Sequence, residues 1–154
     1  MWAEICEAWA GELTSTVAGL DNVPVHLFAP WSVEAVAGAV GERHLAIWPQ
    51  GDGSEAAEGL TTAPADMLLA RFIVMCWEDA TAETSRLADD ENANRAWLEL
   101  HEAIRNQFYE RDNARLGLPA EIMRTRYTGT SFDRSSGQRV MALSFEVLIP
   151  KTYV

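Results

Sequence analysis

Lysine is nearly missing from this chain: of twelve basic residues among 154, only Lys151 is a lysine, against 23 acids and a formal net charge of -11. With alanine abundant throughout, that shortage reads as the codon bias of a GC-rich genome. The acidic balance argues against free nucleic acid as a ligand, because phosphate affinity comes from clustered Lys and Arg that release counterions. Cysteine is scarce as well. Cys6 and Cys76 each fall within an apolar pattern, which predicts buried free thiols and excludes a disulfide scaffold. No stretch reaches the roughly 18 apolar residues of a membrane span, and the start Met-Trp-Ala-Glu carries acids where a secretory signal has a basic start and an apolar run. A soluble protein made in the cytoplasm is expected, with no membrane partner.

Catalytic patterns are missing too. His26, His44 and His101 are scattered over different segments, so no metal site with closely spaced ligands is predicted. No Gly-x-Ser-x-Gly elbow occurs, and Gly51-Asp52-Gly53-Ser54 lacks the lysine and following helix of a phosphate loop. Glu78 and Asp79 end an apolar run as nuclease carboxylates often do, yet the lysine such sites usually hold nearby has no candidate except Lys151. His101, beside Glu102 and near Glu99, reads as part of a solvated helix face. No catalytic residue, metal or cofactor is predicted.

What is present is a core. Hydrophobic residues make up 48% of the chain, ordinary for a globular protein, and a chain of this length buries about 68 to 70% of its unfolded surface. One domain spanning residues 1–154 is expected. Its charge is polarised: residues 1–66 hold ten acids against Arg43 alone, a net of -9, while residues 124–154 carry five bases and two acids, a net of +3. Copies meeting head to tail could use that asymmetry, since complementary potentials fix register.

Along the chain, Trp2, Ile5, Cys6, Trp9, Leu13, Val17 and Leu20 recur at helical spacing with Glu4, Glu7 and Glu12 off the stripe, which predicts an amphipathic helix of about five turns stopping at Asp21-Asn22. Residues 23–28 and 44–48 read as short strands, the second ended by Pro49. Residues 31–40 fit either a short helix capped by Ser32 or an irregular link. Residues 50–63, with Gly51, Gly53, Gly59 and the single large apolar Leu60, read as a flexible loop. Residues 67–77 are apolar on both alternations, so that strand is expected at the centre of a sheet. A polar connector over 79–92 offers Thr81 or Asp90 as caps for a second helix carrying Ala93, Trp97, Leu100, Ile104 and Phe108. From Met123 to Ile149 the chain writes a long hairpin around Asp133-Arg134-Ser135-Ser136-Gly137, with Met141, Leu143, Phe145, Val147 and Ile149 on one face. Arg124, Arg126, Arg134 and Arg139 are read on the opposite faces and at the tip. Five of the six tryptophans fall on or beside apolar stripes, whereas Trp31, between Pro30 and Ser32, fits no pattern and is a contact candidate.

This order of elements, with Tyr127-Thr128-Gly129-Thr130 leading through a Ser-Ser-Gly turn into Leu143-Ser144-Phe145-Glu146-Val147, resembles the tail terminator family of long-tailed bacteriophages, also called minor tail or tail-completion proteins. The likeness spans nearly the whole chain in element order; the tryptophan-rich first helix departs from it. The resemblance implies an α+β fold: a mixed or mainly antiparallel sheet of about five strands, helices packed on one face, and a long C-terminal β-hairpin. It further implies a structural virion protein at the tail–neck junction, assembled in the host cytoplasm as a hexameric ring on the head-proximal end of the tail tube. Such a ring ends tube polymerisation, docks the neck or head-completion protein, and lets DNA pass through its pore without specific binding. On that footing Arg124, Arg126, Arg134, Arg139 and Trp31 become ring-interface candidates. Gly51, Asp52, Gly53, Leu60 and Thr61 become candidates for contact with the tail tube. A neck or head–tail connector protein, a small α+β enzyme and a monomeric interaction module stay open as alternatives.

Overall fold

The computed structural model describes residues 2–28, 43–52, 67–79, 87–109, 124–135 and 138–150. The first helix, α1, spans Trp2–Thr16 and buries Ile5, Cys6, Trp9, Ala10 and Leu13. It stops one turn before the apolar stripe does. Thr14, Ser15 and Thr16 each turn their hydroxyl back to a carbonyl of the preceding turn, donating to Ala10, Gly11 and Glu12 respectively, a competition with the backbone ladder that disfavours continuation. A short 3-10 turn, Ala18–Leu20, follows and keeps Val17 and Leu20 in the core. Asn22, at φ 57°, then reverses the chain in the left-handed region that asparagine tolerates.

Strands β1 (Val25–Leu27), β2 (His44–Asp52), β3 (Met67–Asp79), β4 (Arg124–Ser135) and β5 (Gln138–Pro150) form one sheet in the order β1-β2-β3-β5-β4. The β1–β2 pair is parallel and all others are antiparallel. The fold is therefore α+β with a mixed five-stranded sheet, and β3 lies at its centre as its two apolar faces require. Beyond Trp48 the second strand continues through Pro49 to Asp52 with a register shift between Pro49 and Gly51. Proline is tolerated there because β1 pairs only Leu45, Ala46 and Ile47, leaving the rest of β2 as an edge among the described residues. Gly51 and Asp52 thus belong to a strand, while Gly53, Leu60 and Thr61 lie outside the described residues.

The second helix, α2, spans Leu87–Tyr109. It opens several residues before the stripe begins, so Asp90 lies inside the helix instead of capping it, and Thr81 lies outside the described residues. Both helices cover the same sheet face, where Leu45, Ile47, Phe72, Val74, Leu143 and Phe145 meet Trp9, Leu13, Leu100, Ile104 and Phe108. Trp9 is the keystone: its ring makes edge contacts with Phe72, Phe108 and Phe145 at 5.0 to 5.5 Å. On the other face Ala46, Ile73, Met75, Trp77 and Val140 form a second, smaller buried cluster. The thiols of Cys6 and Cys76 are free and buried, and burial pushes both up to about 12.

The hairpin pairs Ser135 with Gln138 and runs to Arg124 opposite Leu148; residues 136–137, which connect its strands, lie outside the described residues. A bulge separates Tyr127 from Gly129, and Gly129 takes φ 157°, a conformation that favours glycine.

Candidate functional site at the hairpin tip

Sheet register assembles a charged row across three strands, β3, β5 and β4. Arg139 is the Cα partner of Glu78 on one side and of Arg134 on the other. Arg43, just before β2, closes the row by reaching the same carboxylate. Its Nε and Nη2 donate to Glu78 Oε2 at 2.9 and 2.7 Å, and its Nη1 donates to the Gly19 carbonyl at 2.6 Å. The Arg43 guanidinium also stands 5.9 Å from the Trp97 ring centroid, within cation–π range.

Arg139 sits on the core face with Met141 and Leu143, where alternation along β5 puts it and not on the opposite face expected for it. Its side chain is only 9% exposed, and Glu78 Oε1 lies 3.5 Å from its Nε. Among the described residues neither its Nε nor its Nη1 has a hydrogen-bond partner. One carboxylate therefore serves two guanidiniums, and Arg43 takes the better geometry. The trio Arg43, Glu78 and Arg139 carries one uncompensated positive charge at a largely desolvated place, a costly arrangement.

Of this row, Arg139 floors an open groove of about 350 Å³ between α2 and the tip of the hairpin, and Arg134 lines it too, while Glu78 and Arg43 do not reach its surface. Helix α2 contributes Asn94, Trp97 and Leu98 to its wall; β4 contributes Phe132, Asp133 and Arg134. Arg134 donates to Asn94 Oδ1 at 3.3 Å, and its backbone N–H donates to Asp133 Oδ1 at 2.8 Å. The rim is apolar: Leu98 is 50% and Phe132 47% exposed. Next to the groove, Phe132 meets the His101 ring edge-on at 5.0 Å. His101 is buried, not solvated, because it turns toward β4, where its Nε2 lies 2.8 Å from Thr130 Oγ1, which also bonds the Tyr127 hydroxyl. Burial, with Arg105 adding to it, holds the imidazole below its ordinary pKa and so favours the neutral ring.

The arginine candidates do not form one island. Arg134 and Arg139 converge in the groove, whereas Arg126 projects from the opposite sheet face and pairs with Glu146 at 2.6 Å. The two places are roughly 26 Å apart along β4 at about 3.3 Å per residue. Arg124 occupies the far end of β4, opposite Leu148, and Trp31 lies outside the described residues. Arg43, Glu78, Asn94, Leu98 and Phe132 were missed as members of a site. Arg43 had a usable signal, as the single base among the first 66 residues; so did Leu98, a large apolar residue off the buried stripe of its helix.

A second polar assembly lies on the other sheet face. His26 Nε2 and His44 Nδ1 are 3.1 Å apart, and both rings stack on Trp77. Among the described residues no three of His, Cys, Asp and Glu converge as metal ligands would, and no described helix is long and apolar enough to cross a membrane. Compared with protein-family models and with curated proteins, the chain matches none.

Proposed function

We propose that this chain is a ring-forming structural subunit of a long-tailed bacteriophage, a tail terminator that caps the head-proximal end of the tail tube. The ring stops tube polymerisation, offers a docking surface to the neck complex, and sits at the tail–neck junction of the virion. The observation that carries the reading is the hairpin-tip groove, with its under-compensated Arg139 and apolar rim, in a chain otherwise strongly acidic. A closed ring needs heterologous contacts, in which one patch meets a different patch on the next copy. The groove lies beside β4, one edge of the sheet, while β1 forms the other edge. The α+β fold with both helices on one sheet face and a long C-terminal hairpin agrees with the architecture the resemblance implies.

The test is growth of tail tubes from purified tube protein with and without this chain. A terminator shortens the tubes and remains at one end. Tubes that grow unaltered, with binding to a portal complex instead, would make the chain a neck connector. An enzymatic reading has one observation in its favour, the 2.8 Å contact between His101 and the Thr130 hydroxyl, which has the geometry of a base and a nucleophile. A hydrolytic turnover lost in Thr130→Val would establish it and end the structural proposal.

A further inference from the structure

We infer that the groove between α2 and the hairpin tip receives a carboxylate side chain, with an apolar neighbour, from a second copy of this chain. The inference rests on the ring reading above and specifies which surface makes the contact.

Four features converge on that ligand. Among the described residues Arg139, in the floor, is under-compensated: Glu78 behind it is shared with Arg43, and the buried Nε and Nη1 of Arg139 have no hydrogen-bond acceptor. A single carboxylate supplies that charge, and the planar fork of a guanidinium matches it. Arg134 stands at the mouth to extend the positive field. Around the floor, Leu98 and Phe132 are two of the four large apolar side chains exposed among the described residues, so an apolar residue beside the incoming acid has a surface to cover.

The acids that would fill the groove belong to the same sequence. Residues 1–66 are net -9, and among the described residues of that region Glu4, Glu7 and Asp21 are exposed. A phosphate-rich polymer fits less well, because Asp133 stands in the wall, Glu78 lies just behind Arg139 and the whole chain repels polyanions. One singly charged group fits; a run of charges does not. The contact is heterologous, so each copy uses its groove on one neighbour and its acids on the other, and the chain of contacts can close.

The experiment is sedimentation of the full chain over a wide concentration range, at low and high salt, beside Arg134→Glu, Leu98→Asp and Arg139→Met. The first two changes are at exposed positions, and thermal melting checks that all three variants fold. The wild-type chain should associate, less strongly at high salt, and each variant should associate at least about tenfold more weakly, the equivalent of about 1.4 kcal/mol. Variants that associate like the wild type overturn the inference and leave the ring reading standing on another surface. A wild-type chain that stays a monomer also overturns it, as does a monomer that takes up free succinate at Arg139; the ring reading is then decided by tube capping alone.

Discussion

Glu78→Gln and Arg139→Met should act on stability in opposite directions, although the two side chains face each other. Glu78 accepts two hydrogen bonds from Arg43 and neutralises Arg139 at 3.5 Å. Glutamine keeps its shape and loses its charge, leaving two guanidiniums without a counterion. Removing one partner of a fully buried pair costs about 3 to 5 kcal/mol. Here the carboxylate is 22% and Arg43 28% exposed, and solvent screening lowers the expectation to about 2 kcal/mol. For a domain of this size that corresponds to a fall in melting temperature of about 4 to 8 °C. Arg139→Met keeps an unbranched chain against the core and removes a guanidinium whose Nε and Nη1 lack hydrogen-bond partners among the described residues. Its expected effect lies between neutrality and a gain of about 1 kcal/mol, since replacing under-compensated buried ions by apolar groups is often stabilising. Urea unfolding with linear extrapolation measures both. If Arg139→Met destabilises the chain as much as Glu78→Gln does, the guanidinium is well satisfied and the charge imbalance in the groove floor is refuted.

Trp9→Ala should cost about 3 to 5 kcal/mol, because it empties the place where α1, α2, β3 and β5 meet; chemical denaturation would show it, and a loss under 1 kcal/mol would remove Trp9 from the centre of the core. Gly19→Ala would set a methyl group 2.9 Å from both Arg43 Nη1 and a Leu100 methyl, and should cost about 1 to 2 kcal/mol through displacement of that arginine. His101 predicts a pH dependence. Its folded pKa lies below the unfolded value of 6.5, so the unfolded chain binds the proton more readily. Its stability contribution is complete above pH 6.5 and is lost as the pH falls through the folded value. His101→Gln should flatten that part of the stability–pH curve, and an unchanged slope would show that other groups set it.

Much of the fold was legible because periodicity reports burial directly. The double apolar alternation of β3 can be satisfied only at a sheet centre, and the Trp97, Leu100, Ile104, Phe108 stripe has one helical reading. Helix ends were harder. Hydroxyl back-bonds in Thr14-Ser15-Thr16 cut α1 short, while α2 began upstream in a polar stretch where no stripe marks the start. The groove was the least legible part. Alternation along β5 does place Arg139 with Met141, but only the pairing of β3 with β5 sets it against Glu78, and only the return of the chain at β2 brings Arg43 to the same carboxylate. His101 shows the same limit: its neighbours Glu99 and Glu102 suggested solvent, whereas its ring contacts Thr130 and Phe132 on another element. Long-range pairings of this kind leave no local periodic trace.

The central claim is that this chain works as one of several identical copies joined through unlike surfaces. Electron microscopy of tail tubes grown in its presence tests that most directly. One closed ring built only of this chain is expected at one end of each tube, with the α2–hairpin groove of every copy against its neighbour. Tube ends bare of the protein, or holding a single copy, would contradict it.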